Sequence, residues 1–167
     1  MKKLSLYTIF VSTMVLLFSC GGMRKNQVNL AKETIAIEQV LEKYIIANET
    51  QDIELIEHIW SPKPDIILNG TDSHERLVGW TNIRNAVKSQ FAQIEDTYIA
   101  ASDQFIKISD DECTAWFAES LNYNFMYDGE AQKYQGLRFT GVLSKENDGW
   151  KIVQAHLSVP ASVGVGN

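Results

Sequence analysis

Apolar residues in the first half of the chain recur at helical spacing. Intervals of three to four positions predict an amphipathic helix, starting at Asn29 or Thr34, whose buried stripe is Ile37, Val40, Leu41, Tyr44 and Ile45. Asp52 is a favourable N-cap for a short second helix that ends before Pro62. A strand over residues 65–69 is closed by Gly70, and a third helix begins at Trp80.

The period changes from helix-like to strand-like in the second half. Residues 99–108 predict a strand, and residues 113–127 alternate, with one side formed by Cys113, Ala115, Phe117, Glu119, Leu121, Tyr123, Phe125 and Tyr127. Asp128-Gly129 predicts a hairpin into a return strand over 134–144. Asn147-Asp148-Gly149 leads into a last strand over 150–159. The order predicts an α+β fold, with about three helices packed on one face of a strongly curved antiparallel sheet.

The N-terminus has the layout of a secretory signal. Lys2 and Lys3 precede an apolar run, Leu4 to Phe18, that is shorter than the about 20 residues of a spanning helix. We therefore expect a signal peptide at 1–19, a polar tether at 20–33, one domain at 34–160 and a tail at 161–167.

The charge and the cysteine and histidine content bear on nucleic-acid binding, on the role of Cys113 and on metal binding. Loss of Lys2 and Lys3 with the signal would change the formal net charge from −6 to −8, and no basic stripe remains, so we expect no nucleic-acid partner. Cys20 and Cys113 are the only cysteines in the sequence. The position of Cys113 in an apolar strand pattern predicts a buried structural thiol. The spacing of His58, His74 and His156 does not match a metal site, so we expect no metal.

The residues Leu17-Phe18-Ser19-Cys20-Gly21 resemble the lipobox of bacterial lipoproteins. The resemblance implies that Cys20 is acylated, which anchors the protein to a membrane of the bacterial cell envelope. The residues after Cys20 are not acidic, which favours a periplasm-facing anchor over surface export. The alternative is a plain signal peptide with an incidental cysteine.

Several stretches in order resemble SnoaL-like domains of the nuclear transport factor 2-like (ketosteroid isomerase-like) superfamily. They are VLEKYIIANETQDIELIEHIWSPKPDIIL, GWTNIRNAV, TAWFAE and GWKIVQAHLS, within residues 36–159. The resemblance implies a cone with a pocket between helices and sheet, and a homodimer that packs sheet against sheet. Members include isomerases, cyclases, dehydratases and non-enzymatic binding domains, so the family does not fix the function.

The ketosteroid isomerase pattern is only partly present. Its helix-one tyrosine corresponds to Tyr44, for which a core residue with a satisfied hydroxyl is the alternative interpretation. Its base position falls on Asn69 or Leu68, neither of which can take a proton, and its second acid falls near Phe139-Thr140. The sequence therefore argues against that reaction.

Glu119 and His156 are the remaining candidates for acid–base chemistry. If the hairpin has no bulge, Glu119 lies opposite Arg138, either as a pair at the pocket floor or as a cross-strand ion pair on another face. Glu119 could otherwise act as a general acid or base. His156 shares a side with Trp150, Ile152 and Ser158, which fits a pocket wall as well as a structural role.

Two functions follow from these candidates. The first is a membrane-anchored domain that binds a small, mostly apolar or aromatic ligand without catalysis, using Trp60, Asn69, Trp116, Tyr123, Arg138 and Ser158. The second is a cofactor-independent enzyme of isomerase, cyclase or hydrolase type, with His156 and either Glu119 or Tyr44 as the acid–base set. Neither requires a cofactor.

Overall fold

The computed structural model of the protein describes residues 19–72 and 74–161, with side chains from residue 29 onward. Most of the predicted signal peptide and tail, and the side chain of Cys20, lie outside the described part. The chain divides into two compact units, Met1–Ile35 and Ala36–Asn167, and all that follows on the sheet and the cavity concerns the second.

Three helices are described: α1 (Ser19–Thr50), α2 (Ile53–Ile59) and α3 (Trp80–Phe91). The predicted N-cap of α2 is confirmed, because the Asp52 carboxylate accepts a hydrogen bond from the Leu55 N–H at 2.9 Å. Helix α1 begins earlier than predicted. Its first part contains no proline and, after two glycines, several good helix formers, so nothing forces the helix to start at Asn29 or Thr34.

The strands form one six-stranded sheet of order β2-β1-β6-β5-β4-β3. The strands are β1 (Ile67–Asn69), β2 (Arg76–Val78), β3 (Ile94–Ile108), β4 (Thr114–Tyr127), β5 (Glu130–Glu146) and β6 (Gly149–Ser158). Strands β1 and β6 run parallel, and the other neighbours are antiparallel. The sheet is curved and unclosed, which confirms the predicted α+β cone.

The sequence pattern misses some strand boundaries. The sequence pattern predicts no strand between Gly70 and Trp80, where β2 lies. Three residues are too few to show a period, and only pairing with β1 makes them a strand. Strand β3 begins at Ile94, five residues before the predicted start at residue 99. The hairpin at Asp128-Gly129 is confirmed, with positive φ at both residues, as a type I′ turn requires.

The core of the second unit lies between α1, α2 and the inner face of the sheet. The alternation predicted for β4 is confirmed, since Ala115, Phe117, Glu119, Leu121 and Tyr123 are all buried. Within residues 19–72 and 74–161, no helix has the length and apolar character of a transmembrane span.

Two β-bulges change the direction of functional candidates. In β5, Gln135 and Gly136 together lie opposite Asn122, so the register moves by one residue and Arg138 pairs with Ser120. In β6, Val153 is the extra residue, so the alternation that buries Ile152 continues with Ala155 rather than Gln154.

Cys113 is exposed, and the prediction of a buried thiol is wrong. Strand β4 begins one residue later, at Thr114, and Cys113 belongs to the preceding turn, where its N–H donates to the Asp111 carboxylate at 3.1 Å. The alternating pattern extended one residue beyond the strand.

Candidate functional site

A cavity of about 530 Å³ opens between α1, α2, α3 and the inner face of the sheet. This volume lies in the range of small-molecule sites, about 300–1,000 Å³. Much of the wall is apolar or aromatic, with contributions from Ile56, Trp60, Leu68, Val87, Phe125 and Leu157.

The buried inner wall carries three polar side chains. Tyr44 and Asn48 lie four positions apart on α1 and so share one helix face, and Tyr123 reaches them from β4. The Tyr123 hydroxyl donates to the Asn48 Oδ1 at 3.3 Å, and the Asn48 Nδ2 donates to the Tyr44 carbonyl at 2.8 Å. This wall can therefore offer hydrogen bonds to an oxygen or nitrogen of a ligand.

Both inner tyrosines are neutral at physiological pH. Burial raises the pKa of Tyr44 far above its usual value, and the neighbouring Tyr123 and Glu119 add to the effect. Burial likewise raises the pKa of Tyr123, with a further contribution from the negative charge of Glu49. The hydroxyls thus serve as hydrogen-bond donors or acceptors and not as bases.

Trp60 forms part of the same wall, at the C-cap of α2. Its side chain is 2% exposed, and its Nε1 donor is buried without an acceptor among the described residues. The Tyr44 ring is fixed by stacking on Phe139 with ring centroids 4.5 Å apart.

The rim of the cavity is defined here as its exposed lining residues, Asp72, Glu75, Gln90, Tyr127, Gln132 and Tyr134. The two carboxylates come from the loop between β1 and β2. The two tyrosines come from the β4–β5 hairpin.

Glu119 is buried in the core, 4% exposed, and does not line the cavity. Its Oε2 accepts a hydrogen bond from the Gln104 Nε2 at 2.7 Å, while its Oε1 has no partner among the described residues. Burial raises the pKa of this carboxyl, and the bond from Gln104 partly offsets the effect. The sequence pattern missed Gln104, because it lies at the bulge between Ser102 and Phe105.

The predicted Glu119–Arg138 pair is wrong. The β5 bulge places Phe139 opposite Glu119, and Arg138 is exposed beside Ser120 on the other face of the sheet. The register expected for a hairpin without a bulge holds from the turn to Tyr123. It fails beyond Asn122, because β5 contains an extra residue there.

His156 is exposed on the outer face of the sheet, so its predicted position in the pocket wall is wrong. The β6 bulge turns its neighbours Ala155 and Leu157 inward instead. Ser158, two residues further along and paired with Arg138, does not line the cavity either.

Asn69 and Trp116 also lie away from the cavity. Leu68 lines it and pairs with the buried Ala155, whereas Asn69 pairs with His156 and shares its face. Trp116 is 44% exposed on the outer face of β4, so its predicted place at the pocket mouth is wrong.

Of the predicted site residues, Tyr44, Trp60 and Tyr123 line the cavity. Asn48 was missed, although its spacing of four residues from Tyr44 was a usable signal. The rim acids Asp72 and Glu75 were missed because they lie in a loop without a period. The described residues contain no group of His, Cys, Asp or Glu arranged to hold a metal ion.

The family profile described as SnoaL-like domain matches residues 37–162, three quarters of the chain. The chain belongs to the SnoaL-like domain family. The match includes every residue that lines the cavity. No curated protein is detectably similar in sequence.

Solved structures share the fold of this SnoaL-like domain. A nuclear transport factor 2-like superfamily protein from Salmonella enterica matches with a TM-score of 0.74 at 19% identity, covering 83% of this chain and 98% of that one. A proposed dehydratase of the same superfamily from Streptomyces avermitilis matches with a TM-score of 0.71 at 17% identity, over 79% and 99%. A proposed scytalone dehydratase from Novosphingobium aromaticivorans gives 0.71 at 14% identity, over 85% and 93%. At these identities the likeness extends to the fold and not to the activity.

Proposed function

We propose that the cavity binds a small, mostly apolar or aromatic molecule and does not catalyse a reaction. The observation that carries this proposal is the chemistry of the wall, in which apolar and aromatic side chains surround the neutral polar groups of Tyr44, Asn48 and Tyr123. Such a wall favours an apolar body with one polar atom at the inner end.

The positions of the ionisable groups do not favour catalysis in the cavity. A general acid or base must lie within hydrogen-bond reach of the reacting atom. Among the described residues, Asp72 and Glu75 are the only carboxylates that line the cavity, and both belong to the exposed rim. The alternative acid–base set of His156 with Glu119 or Tyr44 has only Tyr44 in the cavity, so the geometry does not support it.

Native mass spectrometry of the purified protein tests the binding proposal. Ala86 lines the cavity from α3, and Ala86→Trp should fill part of it. We expect a co-purifying small molecule on the wild type that is lost from Ala86→Trp. The adjacent Asn85 is exposed and does not line the cavity, so Asn85→Trp should retain the molecule. Loss of the molecule from both variants, or its retention by both, contradicts binding in this cavity. Conversion of the identified molecule into a product during incubation with the protein contradicts the absence of catalysis.

We also propose that an acylated Cys20 anchors the protein to a membrane of the bacterial cell envelope, so that the protein faces the periplasm. The support is the lipobox-like stretch Leu17-Phe18-Ser19-Cys20-Gly21. An acylated cysteine carrying more than one chain gives stable anchoring, which a single chain does not.

Cys20→Ala should move the protein from the membrane fraction to the soluble fraction. Cys113→Ala is the matched control, because it removes the other cysteine, which is exposed in a turn. Fractionation and washing without detergent, followed by immunodetection, measures the distribution. Retention of Cys20→Ala in washed membranes would rule out the lipid anchor.

A homodimer through the sheet is the third proposal. The outer face carries large exposed apolar side chains, with Tyr98, Phe105 and Trp116 at 64%, 56% and 44% exposure. Exposed aromatic groups on one face are typical of a surface that a partner covers.

A further inference from the structure

We propose that the ligand of the cavity carries a protonated amine, held at the rim by the carboxylates of Asp72 and Glu75 and the ring faces of Tyr127 and Tyr134. This inference rests on the proposed function, since it names the class of molecule that the cavity binds. It concerns the charge of the ligand, which the inner wall does not specify.

The charged side chains that line the cavity are all acidic among the described residues. Two carboxylates line the cavity, and no Lys, Arg or His among the described residues does so. Neither Asp72 nor Glu75 forms an ion pair with a described residue. Arg76 follows Glu75 directly, but it lies on the opposite side of β2 from the lining residue Leu77. The rim therefore repels anions and attracts cations.

The Glu75 carboxylate is held in place at the rim. Its Oε2 accepts a hydrogen bond from the Asp72 N–H at 3.2 Å, and the two backbones are joined by the bond from the Glu75 N–H to the Asp72 carbonyl at 3.0 Å. The side chain lies against Gly70, where a Cβ would collide with the carboxylate. A carboxylate fixed in this way loses little conformational freedom when a cation binds.

Aromatic rings supply the second interaction that a cation needs. Tyr127 and Tyr134 are exposed at the rim, 47% and 37%, and the ring centroid of Phe125 lies 5.9 Å from that of Tyr134. Ring faces attract ammonium groups, and they do so without excluding the apolar body of the ligand. The cavity thus offers neutral polar groups at its inner end and a cation site at its rim.

Three naphthalene probes that differ in one group test the charge: 2-naphthylmethylamine, 2-naphthylmethanol and 2-naphthoate. Calorimetric titration of the wild type should give affinities about tenfold higher for the amine than for the alcohol, with the carboxylate weakest. Added salt should weaken only the amine, because it screens exposed charges.

Variants separate the rim from the general negative charge of the protein. The double change Asp72→Asn with Glu75→Gln should lower the affinity for the amine by about fivefold and leave the alcohol within about twofold. Glu42→Gln removes one exposed charge from α1, outside the cavity, and should change neither probe.

The outcomes distinguish the two proposals. If the amine and the alcohol bind equally well, or if Glu42→Gln has the same effect as the double variant, the cation site is wrong while binding in the cavity stands. If none of the probes binds, both proposals are wrong.

Discussion

At the scale of single residues, Glu119 is a carboxyl group buried in the core, 4% exposed. It stands between the buried apolar residues Phe117 and Leu121 in the alternating series of β4. Its partner is Gln104 rather than Arg138, and one carboxylate oxygen has no partner among the described residues. A buried ionised carboxylate of this kind costs free energy of folding.

Glu119 should make the stability of the protein depend on pH. Burial raises its pKa in the folded state above the usual 4.5, so the folded protein binds this proton more tightly than the unfolded chain. The free-energy cost of burying the ionised carboxylate is absent at a pH below the usual carboxyl pKa. It reaches its full value at a pH above the raised pKa. Glu119→Gln should therefore gain stability relative to the wild type as the pH rises from about 4 to about 7, measured by urea unfolding.

Glu38→Gln provides the control for this measurement, because Glu38 is exposed on α1. Its difference from the wild type should stay constant over the same pH range. A constant difference for Glu119→Gln as well would mean that the carboxyl is not destabilised by burial.

At the scale of elements, the two bulges decide which predicted residues reach the cavity. Each adds one residue to one strand, and a shift of one position exchanges the two faces of a strand. Gly136, with φ of +63°, donates its N–H to the Asn122 side chain at 3.1 Å in the β5 bulge. The periodicity of the sequence does not reveal these bulges, because alternation looks plausible on both sides of the extra residue.

Gly141 allows β4, β5 and β6 to pack closely in the centre of the sheet. A Cβ at this position would lie 2.6 Å from a ring atom of Phe117 and would also collide with the Gln154 carbonyl. Gly141→Ala should lower the free energy of unfolding by about 1–3 kcal/mol, measured in urea. Thr140→Ala, on the other face of the same strand, should cost less, within about 1 kcal/mol. Equal losses would show that the contact with Phe117 and Gln154 relaxes easily.

At the scale of the whole molecule, the proposed homodimer would cover the outer face of the sheet. Trp116→Glu should raise the dimer dissociation constant at least about tenfold, because a buried tryptophan is a frequent centre of binding energy. Asn85→Glu adds the same charge on α3 and should have no effect. Sedimentation equilibrium distinguishes the results, and a monomeric wild type or an unchanged Trp116→Glu variant contradicts a dimer through this face.

Local patterns in the sequence are enough to specify the class of the fold. The helical stripe of α1, the cap at Asp52, the alternation of β4 and the turn at Asp128-Gly129 are local patterns, and each depends on residues close together in the chain. Tertiary structure decided which candidates meet. The cavity combines Tyr44 and Asn48 with Tyr123, residues 70–72 and Glu75, and bulges turn His156, Arg138 and Ser158 away from it. These outcomes depend on register and backbone curvature, which arise from packing between distant segments and leave no period in the sequence.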